Sequence, residues 1–377
     1  MAGTLTRRMT HNALVISGGT ARGAYAAGLV HGLFTRFPSL HQHLQLFSGT
    51  STGSLIAPAL ALYCLDPARH RVLLDQLVTR YQVPSTEAFL DEPDKLLYRA
   101  LKWVLTPFLG KDAARAVAKV AETGAVVDAS PLKRTVDTEY TDARLTALFA
   151  ARQRVQVYVN CVSAQTGGLV AFSSADPSMT PARFRTAIFA SCMQPLVMPL
   201  VSMDSPAGVQ ELMDGGIRDV VPVESTFYGG ATRVLALALF PDGEGLPKPG
   251  PFSGRKHLKE LAQRVVFDLL DGEVQDDDVL EARLLASLGQ LVRHARAHGA
   301  DDAAVTALLS ALRPEERARF LVPDVLHGLY VHRPARGVPL VETLRWDRDG
   351  MQASIDAGRA AALSDEGQRM HDFLAAP

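Results

Sequence analysis

Three short turns in this chain carry residues able to do nucleophilic chemistry. The first is Gly49-Thr50-Ser51-Thr52-Gly53, between a short apolar run and the apolar stretch SLIAPALAL. A serine on a sharp strand-to-helix turn projects its hydroxyl out of the fold, and flanking glycines let backbone and substrate approach closely. The unpaired N–H groups at the start of the next helix point to the same spot. Such a serine can attack an acyl carbon, although Gly-x-Ser-x-Gly alone also describes ordinary Gly/Ser turns.

The second turn is Gly18-Gly19-Thr20-Ala21-Arg22-Gly23. A dinucleotide loop would need glycine where Thr20 stands and an acidic residue about twenty positions on, where the chain reads FPSLHQHLQ. The lysine of a nucleoside-triphosphate loop is also missing. Two readings remain: a glycine-rich turn with no ligand, or an oxyanion hole whose N–H groups face a tetrahedral intermediate. One such donor is worth roughly 2.7–4 kcal/mol of transition-state stabilisation.

The third turn is Asp214-Gly215-Gly216. It is either a simple Asp-Gly turn, which is common, or a carboxylate held at a strand end. A nucleophilic serine more often gives its proton to a histidine, and eleven are present. His257, His294 and His298 sit in helical, solvated contexts. His327 and His332 follow in the Ser…Asp…His order of an α/β-hydrolase triad, but neither has a turn that would present its ring.

The elements that must position these turns follow from apolar patterning. Residues 12–17 (NALVIS) form a β-rich run that stops at Gly18, and AYAAGLVHGLF after Gly23 has helical spacing. Residues 44–48 repeat the scheme, with a helix expected through about Leu65. Two successive strand–tight turn–helix units predict an α/β layered fold with a mostly parallel sheet. Residues 72–125 read as helical, and a helix is expected after Ser130 as N-cap with Pro131 in its first turn. VQVYVNCVS (155–163) and LVAFSS, joined through Gly167-Gly168, predict a hairpin. Further strands are expected at the approach to Asp214, at 234–240, at 329–332 and at 340–346. Helices are expected over 183–192 and 351–363. Residues 241–254 form a Pro/Gly-rich linker, and a polar helical insertion follows over 255–325.

Composition narrows the function. With 377 residues, 47% of them hydrophobic, the chain can bury a large core. Its net charge of −1 offers no basic footprint for nucleic acid and no pull towards anionic membranes. Cys64, Cys161 and Cys192 lack metal-type spacing and suit a reducing compartment. The amino-terminal stretch has no secretory pattern, and no apolar run is long enough to span a bilayer. The expectation is a cytoplasmic protein whose membrane contact, if any, is peripheral, with no metal and no cofactor. Composition gives no oligomeric state.

In order along the chain, SGGTARGAYAAGL, GTSTGSLIA and DGG resemble the patatin-like phospholipase family of lipid acyl hydrolases. Asp128-Ala-Ser-Pro-Leu-Lys and Ala190-Ser191-Cys192-Met193-Gln194-Pro195 resemble further family segments. The likeness is good over 12–225 and looser over 326–363; residues 255–325 match no family segment. The resemblance implies a three-layer α/β/α sandwich, and with it a single catalytic domain over 12–363. It implies a Ser–Asp dyad without histidine: Ser51 as nucleophile in its Gly49/Gly53 turn, Asp214 as base in its Gly215/Gly216 turn. It also implies an oxyanion hole from Gly18, Gly19, Thr20, Arg22 and Gly23, acting on carboxylic esters of phospholipids or lysophospholipids. Thr20 departs from the family's usual three consecutive glycines. Arg22 could serve an anionic head group or a structural ion pair. LKWVLTPFL (101–109) could be a lid or an ordinary core helix. Two alternatives stand beside this reading: a Ser–His–Asp esterase, and a catalytically weak lipid- or partner-binding protein on the same fold.

Overall fold

The computed structural model describes residues 11–82, 129–195, 198–205, 208–241, 270–322, 325–340 and 347–376. The apolar stretch 101–109 lies outside these residues, and so does almost all of the strand expected over 340–346.

Two strand–turn–helix units open the fold, as the glycine punctuation predicts. Strand β1 (Asn12–Ile16) leads through a 3-10 turn, Thr20–Arg22, into α1 (Gly23–Arg36). Strand β2 (Leu46–Thr50) leads into α2 (Thr52–Leu65), with Ser51 at its N-cap. Helices α3 (Pro67–Tyr81), α4 (Ser130–Glu139) and α5 (Asp142–Ala150) come next. The hairpin β3 (Gln156–Ser163) and β4 (Leu169–Ser173) follows, then α6 (Pro181–Ala190). A second hairpin, β5 (Val201–Ser205) and β6 (Gly208–Asp214), ends at Asp214 and is followed by α7 (Val223–Tyr228) and β7 (Arg233–Leu237). Helices α8 (Leu270–Ala297), α9 (Asp302–Leu308) and α10 (Pro314–Phe320) precede β8 (Gly328–His332). Helices α11 (Arg348–Leu363) and α12 (Asp365–Ala375) close the described chain.

Among the described residues the strands form one mixed, mostly parallel sheet of eight, in the order β5-β6-β3-β2-β1-β7-β8, with β4 also on β3. The run β3-β2-β1-β7-β8 is parallel, whereas β4, β5 and β6 pair antiparallel. Alternate residues of β1 feed two cores. Leu14 and Ile16 face α1, α2, α3 and α11, while Ala13 and Val15 face α7 and α8. Burial on both faces explains why β1 and β7 read as unbroken apolar runs. The result is the three-layer α/β/α sandwich expected. Helix α8, from the stretch expected as an insertion, packs its Val279, Ala282 and Ala286 into the second core.

One crossing is unusually tight. Helices α1 and α11 meet at Gly28 and Gly358, where an added Cβ would lie 2.1 Å from the Ile355 carbonyl oxygen and 2.2 Å from the Tyr25 carbonyl oxygen. Only glycine permits that approach.

Three details differ from the sequence reading. Strand β2 begins and ends two residues later than expected, so it runs directly into the Ser51 turn. Helix α4 starts at Ser130, and its N-cap is Ala129, which gives no side-chain bond. The approach to Asp214 is one arm of an antiparallel hairpin. Its other arm, VSMDS, is half polar and carries little apolar signal.

Candidate active site

Ser51 stands where β2 becomes α2, with φ 52° and ψ −121°. A non-glycine residue in that region stores about 1–3 kcal/mol of strain and persists only where its surroundings hold it. The holding contacts are visible. The Ser51 N–H donates to Ser191 Oγ at 3.0 Å, Ser191 Oγ donates to the Asn160 carbonyl at 2.5 Å, and Ser191 Oγ lies 2.7 Å from Ser54 Oγ. The Cys192 thiol faces the Ser51 carbonyl at 3.2 Å. Both turn glycines are steric necessities. A Cβ at Gly49 would fall 2.2 Å from the Gly53 carbonyl oxygen, and one at Gly53 would fall 2.1 Å from the Ile16 carbonyl oxygen.

Asp214 reaches the same place through strand register. Along β3, β4 occupies one edge over residues 158–162. On the other edge Thr50 pairs with Asn160, and Asp214 pairs with Cys161. Strand β6 therefore meets the end of β2 head-on, and Asp214 lies beside the Thr50–Ser51 link. Gly215 makes room for this: a Cβ there would strike the Asn160 carbonyl oxygen at 2.4 Å.

Asp214 is 3% exposed. Its Oδ1 accepts the Gly216 N–H at 2.8 Å. Burial pushes its pKa up to about 7, against smaller opposing effects of the Gly216 N–H and the Ser51 hydroxyl. Ser51 is thus close enough to steady the carboxylate. Yet Oδ2 accepts no hydrogen bond of full geometry among the described residues. The pair is within reach but not aligned, a common state of catalytic groups before substrate binds.

The loop of Gly18 to Gly23 lies against the elbow. A Cβ on Gly18 would sit 3.5 Å from the Ser51 Cβ. Several of its N–H groups are already used: Gly18 donates to the Val220 carbonyl, Arg22 to Gly19, and Gly23 to Thr20 and Ala21. The N–H groups of Gly19 and Thr20 meet no acceptor among the described residues. Thr20 itself has φ 47°, so the threonine occupies a left-handed position that glycine would hold at no cost. The Arg22 guanidinium is buried and lies over the Phe240 ring, 4.2 Å from its centroid.

The two histidines in triad order lie elsewhere. His332 is buried on β8, three strands from β2, roughly 14 Å at ordinary strand spacing. Its Nε2 meets the Tyr25 hydroxyl at 2.9 Å and its Nδ1 meets Glu366 at 3.1 Å. His327 precedes β8, at the end of the sheet opposite Ser51, with Nδ1 on the Val325 carbonyl. Among the described residues there is also no cluster of three or more His, Cys, Asp or Glu arranged to hold a metal. Nor is any helix there long and apolar enough to cross a membrane.

The segment around Ser191 carries a family likeness but no role for that residue in the sequence, and nothing in the sequence marks Asn160. The signal at Ser191 is a small polar residue in an otherwise apolar helix end, shortly before Pro195. Only the fold shows that this hydroxyl supports the Ser51 backbone.

The family model for patatin-like phospholipases matches residues 14–227, more than half of the chain and all three turns. The chain belongs to that family, whose members are hydrolases of lipid ester bonds. Comparison with curated proteins finds no match. Among solved structures, VipD from Legionella pneumophila is 11% identical, with 93% of this chain and 67% of VipD covered and a TM-score of 0.34. ExoU of the Pseudomonas aeruginosa type III secretion system, solved in complex with SpcU, is 17% identical. That alignment covers 98% of this chain and 71% of ExoU, with a TM-score of 0.27. Likenesses this distant add nothing to the assignment, which rests on the family model.

Proposed function

We propose that the protein hydrolyses carboxylic esters of phospholipids or lysophospholipids through a Ser51–Asp214 dyad. The observation that carries this reading is the β3 register, which sets Asp214 beside the strained serine. No histidine bonded to either residue is needed to complete the pair. Ser51 Oγ attacks the ester carbonyl carbon while Asp214 takes its proton. A carboxylate with pKa near 7 is a far better base at neutral pH than one at the ordinary value of about 3.9. The oxyanion is held by the N–H groups of Gly19 and Thr20, which have no acceptor among the described residues. The tetrahedral intermediate collapses, the alcohol leaves with the proton from Asp214, and an acyl-enzyme remains. Water then attacks the acyl carbon, its proton passes to Asp214, and the fatty acid is released as Ser51 recovers its proton.

No cofactor enters this sequence, and Gly18, Arg22 and Gly23 act through loop shape rather than as donors to the oxyanion. The protein meets its lipid at a membrane surface as a peripheral enzyme. The test is hydrolysis of a p-nitrophenyl fatty ester and of lysophospholipid by wild type and Ser51→Ala. Equal turnover by the two proteins would sink the proposal. Failure of a fluorophosphonate to label wild-type Ser51 would instead favour a lipid-binding protein on the same fold.

A further inference from the structure

The family match ends at residue 227, yet a helix beyond it grips the site from behind. On α8, Gln275 and Asp278 stand three residues apart and so share a face. Asp278 Oδ2 accepts the N–H groups of both Val220 and Val221, at 2.6 and 2.8 Å. Fully buried Gln275 pairs with both backbone groups of Phe240: its Oε1 accepts the N–H at 3.0 Å and its Nε2 donates to the carbonyl at 2.9 Å.

These two backbone segments are the ones from which the glycine loop hangs. The Gly18 N–H donates to the Val220 carbonyl at 2.9 Å. The Ser17 N–H donates to the Leu237 carbonyl at 3.0 Å, and Ser17 Oγ accepts the Leu239 N–H at 3.0 Å. Arg22, at the far end of the loop, stacks on Phe240. The Val220 segment also continues directly from Asp214, through a turn in which Arg218 and Asp219 both donate to the Gly215 carbonyl.

We propose that Gln275 and Asp278 are positioning residues, which hold the Gly18–Gly23 loop and the Asp214 turn in mutual register with Ser51. The inference rests on the dyad reading above and makes α8 part of the catalytic unit. Neither residue touches a reacting atom; each acts through backbone it fixes. Misplacement of oxyanion donors by a fraction of an ångström to 1 Å slows acylation without changing how a small ester binds.

The experiment uses the full chain and reads three quantities: the fraction of protein labelled at the endpoint by a fluorophosphonate, the labelling rate per labelled site, and kcat and KM for a soluble p-nitrophenyl ester. Asp278→Ala should lower the per-site rate and kcat roughly 10- to 100-fold while KM stays within threefold. Gln275→Leu should move both in the same direction. Asp278→Asn retains an acceptor oxygen for the two N–H groups and should stay within threefold of wild type. Should the alanine protein fail to fold, Asp278→Ser, a smaller loss of volume, carries the same expectation. A per-site rate equal to wild type, with only the labelled fraction or melting temperature reduced, overturns the proposal. So does an asparagine variant as slow as alanine. Loss of activity in Ser51→Ala alongside an unimpaired Asp278→Ala would remove this inference alone; wild-type turnover in Ser51→Ala would remove the dyad and this inference with it.

Discussion

Thr50 and Asp214 pair with consecutive residues of one strand, Asn160 and Cys161, on the same edge of β3. One strand thus serves as the ruler for both halves of the site. The strand leading to Ser51 runs out at Asn160, and the strand carrying Asp214 arrives from the opposite direction at the next position.

A pH profile follows from the burial of Asp214. In the proposed mechanism Asp214 works ionised, so kcat/KM should rise through a pKa of about 7 and level off above it, falling about tenfold per unit below. Stability has the opposite sense. The folded pKa is raised above the unfolded value, so the native state binds more protons between about 3.9 and 7. This contribution to stability is complete below the unfolded pKa and is lost as pH rises through 7. Asp214→Asn should therefore be inactive yet more stable than wild type at pH 8, by up to about 4 kcal/mol. The gap should close near pH 4. Paired thermal melts at the two pH values check this, and a variant less stable at pH 8 would contradict it.

Thr20→Gly tests the glycine loop. The threonine holds a left-handed φ of 47°, and its buried hydroxyl has no partner among the described residues. Relief of roughly 1–2 kcal/mol of strain is partly offset by the greater freedom of glycine in the unfolded chain. A net gain of about 0.5 kcal/mol in chemical denaturation is expected. Turnover of a short ester should stay within threefold, because the backbone N–H is kept. A tenfold rise would instead identify the threonine side chain as an obstruction in the site.

Ser191→Ala removes the acceptor for the Ser51 N–H and the donor to the Asn160 carbonyl. Leaving buried groups unpaired costs about 1–3 kcal/mol. Because those groups hold the elbow, kcat should fall roughly tenfold or more with KM little changed. Steady-state kinetics on the variant decide this, and an unchanged kcat would show that the elbow is held without Ser191.

His332→Ala separates structure from chemistry in the other direction. Burial lowers the ring's pKa and keeps it neutral, so it can join the Tyr25 hydroxyl to Glu366. The variant should lose about 1–3 kcal/mol of stability through those unpaired groups. Its fluorophosphonate labelling rate per folded molecule should match wild type. Loss of labelling in folded protein would revive a histidine mechanism.

Much of this site is written locally. Gly18 to Gly23 and Gly49 to Gly53 announce themselves because each interrupts an apolar strand and starts a helix, and the clashes that exclude a Cβ at Gly49 and Gly53 lie within a few residues of chain or on the adjacent strand. Asp214 is legible as a carboxylate in a glycine turn. Its antiparallel arrival is not, because pairing direction depends on β3, some fifty residues away, and VSMDS hides its partner arm. The role of α8 is hidden differently. Its buried seam at Gln275, Val279, Ala282, Ala286 and Gly289 has regular spacing, but the exposed Leu280, Leu284 and Leu291 blur it from outside. Gln275 and Asp278 then look like two more polar residues of an acidic stretch.

The Gly28–Gly358 crossing bears on the order in which the molecule is made. Helix α1 begins at the end of the glycine loop, yet the surface it must lie against is synthesised almost a whole chain later. Contacts so distant in sequence form slowly. A growing chain that already contains Ser51, Asp214 and the glycine loop still lacks the helix on which α1 settles. The packing of α1 against α11 therefore waits until translation has passed α11.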